Sequence, residues 1–344
     1  MRLVFMGTPD FAVPTLEAIV TSGHDVALVI TRPDRPRGRG QKPQPSPVKE
    51  AALRLGLPVD HPARLDDDFV QKLKDLGVEA GVVAAFGRIL PPRLLDAFPQ
   101  RWINVHASLL PKYRGAAPIH RAVVDGEKET GITTMLMSEG LDEGDMLLKR
   151  SVAIGPDDTT GQVHDALAEL GAGLLVETLA AMEEGRLQPQ PQDGCQATYA
   201  PMLTRADEQV DWSAPAEAVH NRVRGMNPWP GAFTVDEGKI MKILRGRLRH
   251  EGLSLPVSGL PASPGEFGQP SLSLSGSSAS SYPAAATGSS VQPGEILQIA
   301  GDEVAVATGA GVYWLSEVRP AGGKTMTAGA YARGRRMGPG FRFG

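Results

Sequence analysis

One cysteine, Cys195, stands among 344 residues, so no intrachain disulfide can form and the cysteine-stapled secreted scaffolds are excluded. Aromatic residues are scarce, at 5%. Long apolar runs are also missing. The first such run, at 3–6, ends at Gly7-Thr8-Pro9-Asp10, far short of a signal-peptide core or a membrane span. The expected compartment is therefore the cytoplasm, with no membrane partner. Gly7 does not open a Gly-x-Gly-x-x-Gly fingerprint, and Pro9 removes the backbone freedom that its second glycine supplies. This sets aside a nicotinamide-dependent oxidoreductase. No Walker loop and no Gly-x-Ser-x-Gly elbow occurs, so phosphoryl transfer and serine hydrolysis lack their usual signatures. Cysteine pairs and His-Glu-x-x-His are absent, and the seven histidines are scattered; no metal is expected.

What is present fits a globular chain. Hydrophobic residues make up 41% and charged residues 22%, close to the soluble-protein average. At roughly 150 residues per domain the length corresponds to about two domains. The net charge of −4 conceals a division: residues 1–204 carry 21 basic and 27 acidic side chains, residues 205–344 carry 14 and 12. Two basic clusters are sharper still. Arg32, Arg35, Arg37, Arg39 and Lys42 have only Asp34 among them, and Arg333, Arg335, Arg336 and Arg342 have no acid between them. Both are suited to gripping phosphates.

From residue 3 to about 182, short apolar strands alternate with amphipathic helical stretches, the pattern of an α/β domain with a mostly parallel, Rossmann-like sheet. Strands are predicted at 3–6, 26–31, 80–86 and 102–105, each nearly all apolar, as strands buried on both faces must be. Helices are predicted at 11–22, at 48–55 between Pro47 and Gly56, and at 66–76, which starts with acids and is followed by Gly77. Strands at 131–137 and 146–154 flank a turn rich in Gly and Asp, and a long helix at 160–182 closes the domain. These features place a catalytic domain at 1–185 and a linker at 186–204, where Gln-Pro-Gln-Pro at 188–191 breaks any apolar period. A second, mostly β domain follows at 205–344, with strands at 232–235, 240–244, 295–299, 304–307 and 312–318 suggesting a small barrel. It is interrupted at 254–293, where Ser, Gly, Pro and Ala fill 28 of 40 positions and Glu266 is the only charge. That composition buries too little surface to order itself and predicts a disordered loop between two barrel strands.

The densest polar constellation is Asn104-Val105-His106, at the carboxyl end of the strand predicted at 102–105. Ligands bind open α/β sheets beyond the carboxyl ends of their strands, and with period 2 Asn104 and His106 project to one side. An amide donor beside an imidazole suits acyl transfer: the amide steadies a developing oxyanion while the histidine assists or moves a proton. A satisfied histidine at a strand end is the alternative. The glycine-bounded turn Gly140-Leu141-Asp142-Glu143-Gly144-Asp145 offers a carboxylate. Within it, Asp142 is the candidate for orienting His106 and accepting a proton. The turn also reads as an ordinary acidic loop, and it lacks the ligand spacing of a calcium loop. Residues 32–47 are too long and too rich in Pro and Gly for a plain connection. Their arginine forks can clamp a phosphate backbone or stack on the unpaired bases of an RNA end, or stand as a solvated basic loop.

Several stretches resemble one family: Met6-Gly7-Thr8-Pro9-Asp10-Phe11, the basic loop ending Pro45-Ser46-Pro47-Val48-Lys49, residues 103–118 (INVHASLLPKYRGAAP), the turn 140–146, and 227–233 (NPWPGAF). They are similar to the methionyl-tRNA formyltransferases within the folate-dependent formyltransferase superfamily, and they span both domains. The resemblance implies transfer of a formyl group from 10-formyltetrahydrofolate, a co-substrate, to the amino group of methionine on initiator tRNA, the partner, by a monomer. It implies Asn104, His106 and Asp142 as the catalytic set and Ser108, Leu109, Leu110 and Pro111 as the folate-binding segment. It further implies Arg32, Arg35, Arg37, Arg39 and Lys42 as a tRNA-binding loop, and an OB-like barrel as the second domain. Residues 254–293 have no counterpart in that pattern. Two other readings stay open. The same chemistry on a nucleotide intermediate or an amino sugar predicts no role for loop 32–42 or the second domain. A non-catalytic RNA-binding protein leaves the alignment of Asn104, His106 and Asp142 unexplained.

Overall fold

The computed structural model describes residues 1–37, 42–249 and 291–344. Arg39, the side chains of Arg37 and Lys42, and positions 254–290 of the low-complexity segment lie outside the described residues. Two compact units are present. One comprises Met1–Val210, Asn221–Phe233 and Lys242–Leu244, the other Asp211–His220, Thr234–Met241 and Arg245–Gly344.

The first unit is built on seven strands: β1 (Arg2–Gly7), β2 (Asp25–Ile30), β3 (Val59–Asp60), β4 (Ala80–Ala84), β5 (Trp102–His106), β6 (Glu129–Leu136) and β7 (Met146–Ala153). Their order is β7-β6-β5-β4-β1-β2-β3. The five strands β5, β4, β1, β2 and β3 run parallel, and β6 and β7 complete the sheet antiparallel. Period-2 alternation divides the core into two layers. Leu3, Phe5, Ile103 and Val105 pack with Leu16 and Ile19 and with Leu167 and Leu175 of the long helix Thr160–Glu183. Val4, Met6, Val83 and Trp102 pack on the other side with Phe69, Leu73 and Leu94. Gly7 ends β1 where a Cβ would lie 2.9 Å from both Ala12 and Phe5 and 3.0 Å from the Ala84 carbonyl; the tight turn into the next helix excludes any side chain.

Helix starts follow their sequence cues. Ser46 Oγ accepts from Lys49 N before Pro47–Arg54, and Asp66 accepts from Phe69 N before Asp67–Asp75. Thr159 and Gln162 form a reciprocal cap on Thr160–Glu183, satisfying amides that have no partner inside the helix. The helices Pro92–Ala97 and Pro118–Val124 and the two-residue β3 are too short to produce a readable period.

The unit boundary falls later than composition suggests. Residues 186–204, expected as a linker, belong to the first unit. Gln190 exchanges two backbone hydrogen bonds with Met146, at 2.8 and 2.9 Å, and Tyr199–Ala200 pairs in parallel with Arg114–Gly115. The prolines keep this segment extended, so its main-chain groups bond to neighbours with no side-chain period to betray it. Arg121 also binds Asp207 within this unit, at 2.6 Å. The Arg121 guanidinium holds the Asp207 carboxyl well below the ordinary carboxylate range, with help from the Thr204 amide and hydroxyl. A depressed carboxylate contributes stability above its unfolded value, about 3.9, and loses that contribution as pH falls through its folded value. Asp207→Asn is therefore expected to lower the unfolding midpoint at neutral pH and to narrow the gap to the parent protein below pH 4. Thermal unfolding across pH 3–7 checks this, and a constant gap over that range removes Asp207 from the acid limb.

The second unit carries β10 (Ile296–Ala300), β11 (Glu303–Ala307), β12 (Val312–Pro320) and β13 (Met326–Thr327), paired antiparallel in succession. β8 (Phe233–Asp236) and β9 (Lys239–Leu248) complete the sheet in the order β8-β9-β12-β11-β10. Val304, Val306, Tyr313 and Leu315 are buried along it, and the helix Ala328–Gly334 follows β13.

Candidate active site

The site is built at the carboxyl end of β5. Val105 enters the layer beneath Thr160–Glu183, so Asn104 and His106 emerge on the opposite face, the one on which Trp102 is buried. The loop after β6 returns Asp142 to the same point, with Asp142 in the left-handed region at φ 52°. Asn104 Nδ2 donates to Asp142 Oδ1 at 3.4 Å. His106 Nδ1 lies 3.6 Å from Asp142 Oδ2, which also accepts the Gly115 amide at 2.9 Å. His106 Nε2 lies 3.0 Å from the Tyr113 carbonyl. A carbonyl only accepts, so Nε2 carries a proton and Nδ1 is the nitrogen left to exchange one with its surroundings. Both side chains are shielded, at 6% exposure for His106 and 17% for Asp142.

A cavity of about 130 Å³ opens against this group, with Asn104 and Asp142 in its wall and Arg88, Ile89, Leu90, Met135 and Ser138 among its other lining residues. Ser138 Oγ is buried and has no hydrogen-bond partner among the described residues. Burial of an unpaired hydroxyl costs free energy. Ile89 and Leu141 stand exposed at its edge, at 82% and 57%.

The turn after β5 is held from within. Ser108 Oγ donates to the Lys112 carbonyl at 2.6 Å. Thr133 Oγ donates to the Ser108 carbonyl at 2.8 Å and accepts the Leu110 amide at 3.1 Å. Lys149 Nζ donates to the Leu110 carbonyl at 2.6 Å, and burial lowers its pKa from the ordinary lysine value. The Tyr113 hydroxyl lies 3.1 Å from Asp125 and 3.0 Å from Glu127. Burial and these two carboxylates raise its pKa, so it stays a neutral donor.

In the basic loop, Arg35–Arg37 pairs antiparallel with Lys42–Gln44. Arg35 is exposed, the Arg32 guanidinium donates to the Gly87 carbonyl, and Lys49 pairs with Asp34 at 2.8 Å. Among the described residues no group of His, Cys, Asp and Glu is arranged to hold a metal ion. No helix among them is long and apolar enough to cross a membrane.

Two family models match the chain: "Formyl transferase" over residues 1–179 and "Formyl transferase, C-terminal domain" over residues 202–336. A methionyl-tRNA formyltransferase of Heliobacterium modesticaldum is 85% identical over the whole of both chains. One from Pelotomaculum thermopropionicum is 46% identical over 100% of this chain and 99% of its own. The chain belongs to the methionyl-tRNA formyltransferase family. The fold is shared more widely. An N-formyltransferase of Helicobacter canadensis, solved in complex with folinic acid and dTDP-3-aminofucose, superposes with a TM-score of 0.63 at 16% identity, covering 92% of this chain and 98% of its own.

Of the residues expected from the sequence, Asn104, His106 and Asp142 are brought together. Ser108, Leu109, Leu110 and Pro111 do not line the cavity beside them. Ser108 and Leu110 are buried in the turn, their polar atoms committed to Lys112, Thr133 and Lys149. Leu109 instead faces a separate recess beside Lys112 and Tyr113. Sequence reasoning missed the cavity residues Arg88, Ile89, Leu90 and Ser138. They come from two loops far apart in the chain and carry no motif of their own.

Proposed function

We propose that this chain transfers the formyl group of 10-formyltetrahydrofolate to the α-amino group of methionyl initiator tRNA, giving N-formylmethionyl-tRNA for translation initiation. The convergence of Asn104, His106 and Asp142 on one point, in a chain of this family, carries the reading. The formylated folate supplies an electrophilic carbon bonded to N10. The methionine nitrogen bonds to that carbon, the bond to N10 breaks, and one proton passes from the amine to the departing nitrogen. Asn104 has a second amide hydrogen beyond the one directed at Asp142, and offers it to the formyl oxygen as negative charge builds there. His106, held through Nε2 on the Tyr113 carbonyl, presents Nδ1 to the same region. Asp142 orients His106 and accepts the proton shed by the attacking nitrogen.

The cavity lined by Arg88, Asn104 and Asp142 takes the folate, and 107–115 forms the turn beside it. Arg35, Arg37, Arg39 and Lys42 take the acceptor end of the tRNA, while Arg32 anchors the loop through Gly87. In the C-terminal cluster, Arg333 is paired with Asp302, Arg335 with Asp236 and Glu237, and Arg342 bonds the Pro293 carbonyl, which leaves Arg336 as the arginine of that cluster proposed to meet the tRNA. The enzyme works as a monomer in the cytoplasm.

Incubation with methionyl initiator tRNA and 10-formyltetrahydrofolate, followed by mass analysis of the released amino acid, is expected to yield formylmethionine. Unmodified methionine overturns the reading. Replacing Arg35, Arg37, Arg39 and Lys42 by Ala is expected to weaken tRNA binding and to flatten its salt dependence. The slope of log K against log salt falls by about 0.7 to 0.9 for each phosphate that the loop no longer neutralises. An unchanged slope removes the loop from the interface.

A further inference from the structure

The loop that delivers Asp142 has a second anchor. Gln192, on the extended segment after the long helix, donates from Nε2 to the carbonyls of Asp142 and Gly144, each at 2.8 Å. Its Oε1 accepts from Arg114 Nε at 3.0 Å and Nη2 at 2.8 Å. The two ends of this amide cannot be exchanged. Guanidinium offers only donors and backbone carbonyls only acceptors, so the surroundings fix which atom is nitrogen. Gln192 is brought there by the extended segment that carries it, since Gln190 exchanges two backbone hydrogen bonds with Met146 just beyond the loop. Arg114 is 5% exposed, and its third nitrogen, Nη1, stands 3.6 Å from Glu143.

These bonds close a ring around one residue. Gly115 holds the Asp142 carboxylate, and Arg114, its neighbour in the chain, holds the Asp142 carbonyl through Gln192. Asp142 occupies the left-handed region, at φ 52°, which costs free energy for a residue with a Cβ and persists only where neighbours enforce it. Two bonds to consecutive parts of the loop, both from one side chain that is itself braced by a buried arginine, supply that enforcement.

We propose that Gln192 is a positioning residue for formyl transfer: with Arg114 it clamps the backbone of the 140–144 loop so that the Asp142 carboxylate stays aimed at Asn104 and His106. This rests on the assignment of Asp142 as the proton-accepting group. Among the described residues Gln192 makes no hydrogen bond to Asn104, His106 or the Asp142 carboxylate, and acts by limiting where Asp142 can go. A displacement on the order of 1 Å at a reacting group is enough to cost about a hundredfold in rate.

The test is steady-state kinetics of the full-length enzyme with methionyl initiator tRNA and 10-formyltetrahydrofolate, on Gln192→Glu, Gln192→Met, Asp142→Asn and the Gln192→Glu/Asp142→Asn pair. Gln192→Glu keeps the acceptor for Arg114 and turns both loop carbonyls toward an oxygen. Gln192→Met keeps the volume and removes both sets of bonds, which guards against a folding defect peculiar to the new charge. Both single variants are expected to lose about tenfold to a hundredfold in kcat, with KM for each substrate changed less than about threefold. In the Asp142→Asn background, Gln192→Glu is expected to cost almost nothing further, because the group it positions is already disabled.

If Gln192→Glu and Gln192→Met both retain parental kcat, or if the Gln192→Glu loss repeats in full on top of Asp142→Asn, Gln192 does not act through Asp142 and the proposal falls. If Asp142→Asn itself keeps full turnover, the catalytic assignment of Asp142 fails instead, and the positioning role goes with it. A rise in KM with kcat unchanged also overturns the proposal, since it marks a binding role.

Discussion

Asp142→Asn is expected to lower kcat for formyl transfer by about 10² to 10³, with both substrates saturating and with their KM values close to those of the parent. The substitution is informative because so little else changes. Asparagine has nearly the same shape, tolerates the left-handed backbone at φ 52° better than most residues, and keeps an oxygen for the Gly115 amide. What disappears is the negative charge facing His106 Nδ1 at 3.6 Å and the ability to take a proton. The asparagine NH₂ also cannot accept from Asn104 Nδ2, which donates to Oδ1 in the parent. Stopped-flow or quench measurements under single turnover separate the chemical step from product release. If the chemical rate is unchanged, Asp142 is a structural cap on the 140–144 loop and the proton goes elsewhere. Combining Asp142→Asn with His106→Ala is expected to cost much less than the product of the two separate losses, as groups that work as one unit are non-additive.

Trp102→Ala is expected to lower stability by about 3 to 5 kcal/mol, a fall of roughly 6 to 20 °C in Tm for a unit of this size. Trp102 is 2% exposed and begins β5. Its ring lies against Gly81 in β4, where a Cβ would sit 2.1 Å from two ring carbons. The indole thus fills a slot that the absent side chain creates. The edge of the ring meets Phe98, with centroids 6.2 Å apart, and Nε1 donates to the Leu94 carbonyl at 3.0 Å. Removing the ring opens a cavity between the sheet and the Pro92–Ala97 helix and leaves a buried carbonyl unpaired, two costs that add. Two residues along the same strand sits Asn104, so a relaxation of β5 into the cavity also displaces its amide from Asp142. The expected kinetic signature is a loss of kcat at temperatures where the variant is still fully folded. Equilibrium denaturation together with activity measured well below Tm checks both parts. A destabilisation under about 1 kcal/mol means that the neighbouring side chains refill the space. Gly81→Ala tests the same packing from the other side, since the added methyl forces the indole or the strand to move.

Much of the candidate site's geometry was legible from one-dimensional pattern. Alternation along β5 puts Asn104 and His106 on a common face, and a strand end in an open α/β sheet is where ligands are met. A glycine-bounded acidic turn pointed to Asp142. Both inferences use local rules, because the backbone's own period decides which way neighbouring side chains face. The long helix, the helix-ending glycines Gly56 and Gly77 and most strands of both units were legible for the same reason. The prolines of 186–204 misled, because proline and glutamine carry no period whether the chain is a free connector or, as here, an extended strand bonded to Met146 and Arg114.

Other features needed the meeting of distant parts of the chain. The Ser138 hydroxyl is ordinary in sequence and becomes informative only when burial leaves it unpaired. Arg32 looked like one member of a basic cluster, yet its guanidinium is committed to Gly87, 55 residues away. Ser108 and Leu110 lie in the expected segment, but their polar groups are spent on the turn itself.

The sequence by itself therefore determined the α/β architecture, the family, and the residue types that meet at the end of β5, since periodicity, turn chemistry and motif are properties of neighbouring residues. Tertiary structure alone decided which groups are engaged and which are available. It seated Gln192 and Arg114 behind Asp142, turned 186–204 from connector into scaffold, and buried one hydroxyl without a partner among the described residues. The physical reason is that hydrogen-bond satisfaction and burial depend on what the folded chain brings within about 3 Å, and no spacing rule along the chain encodes that.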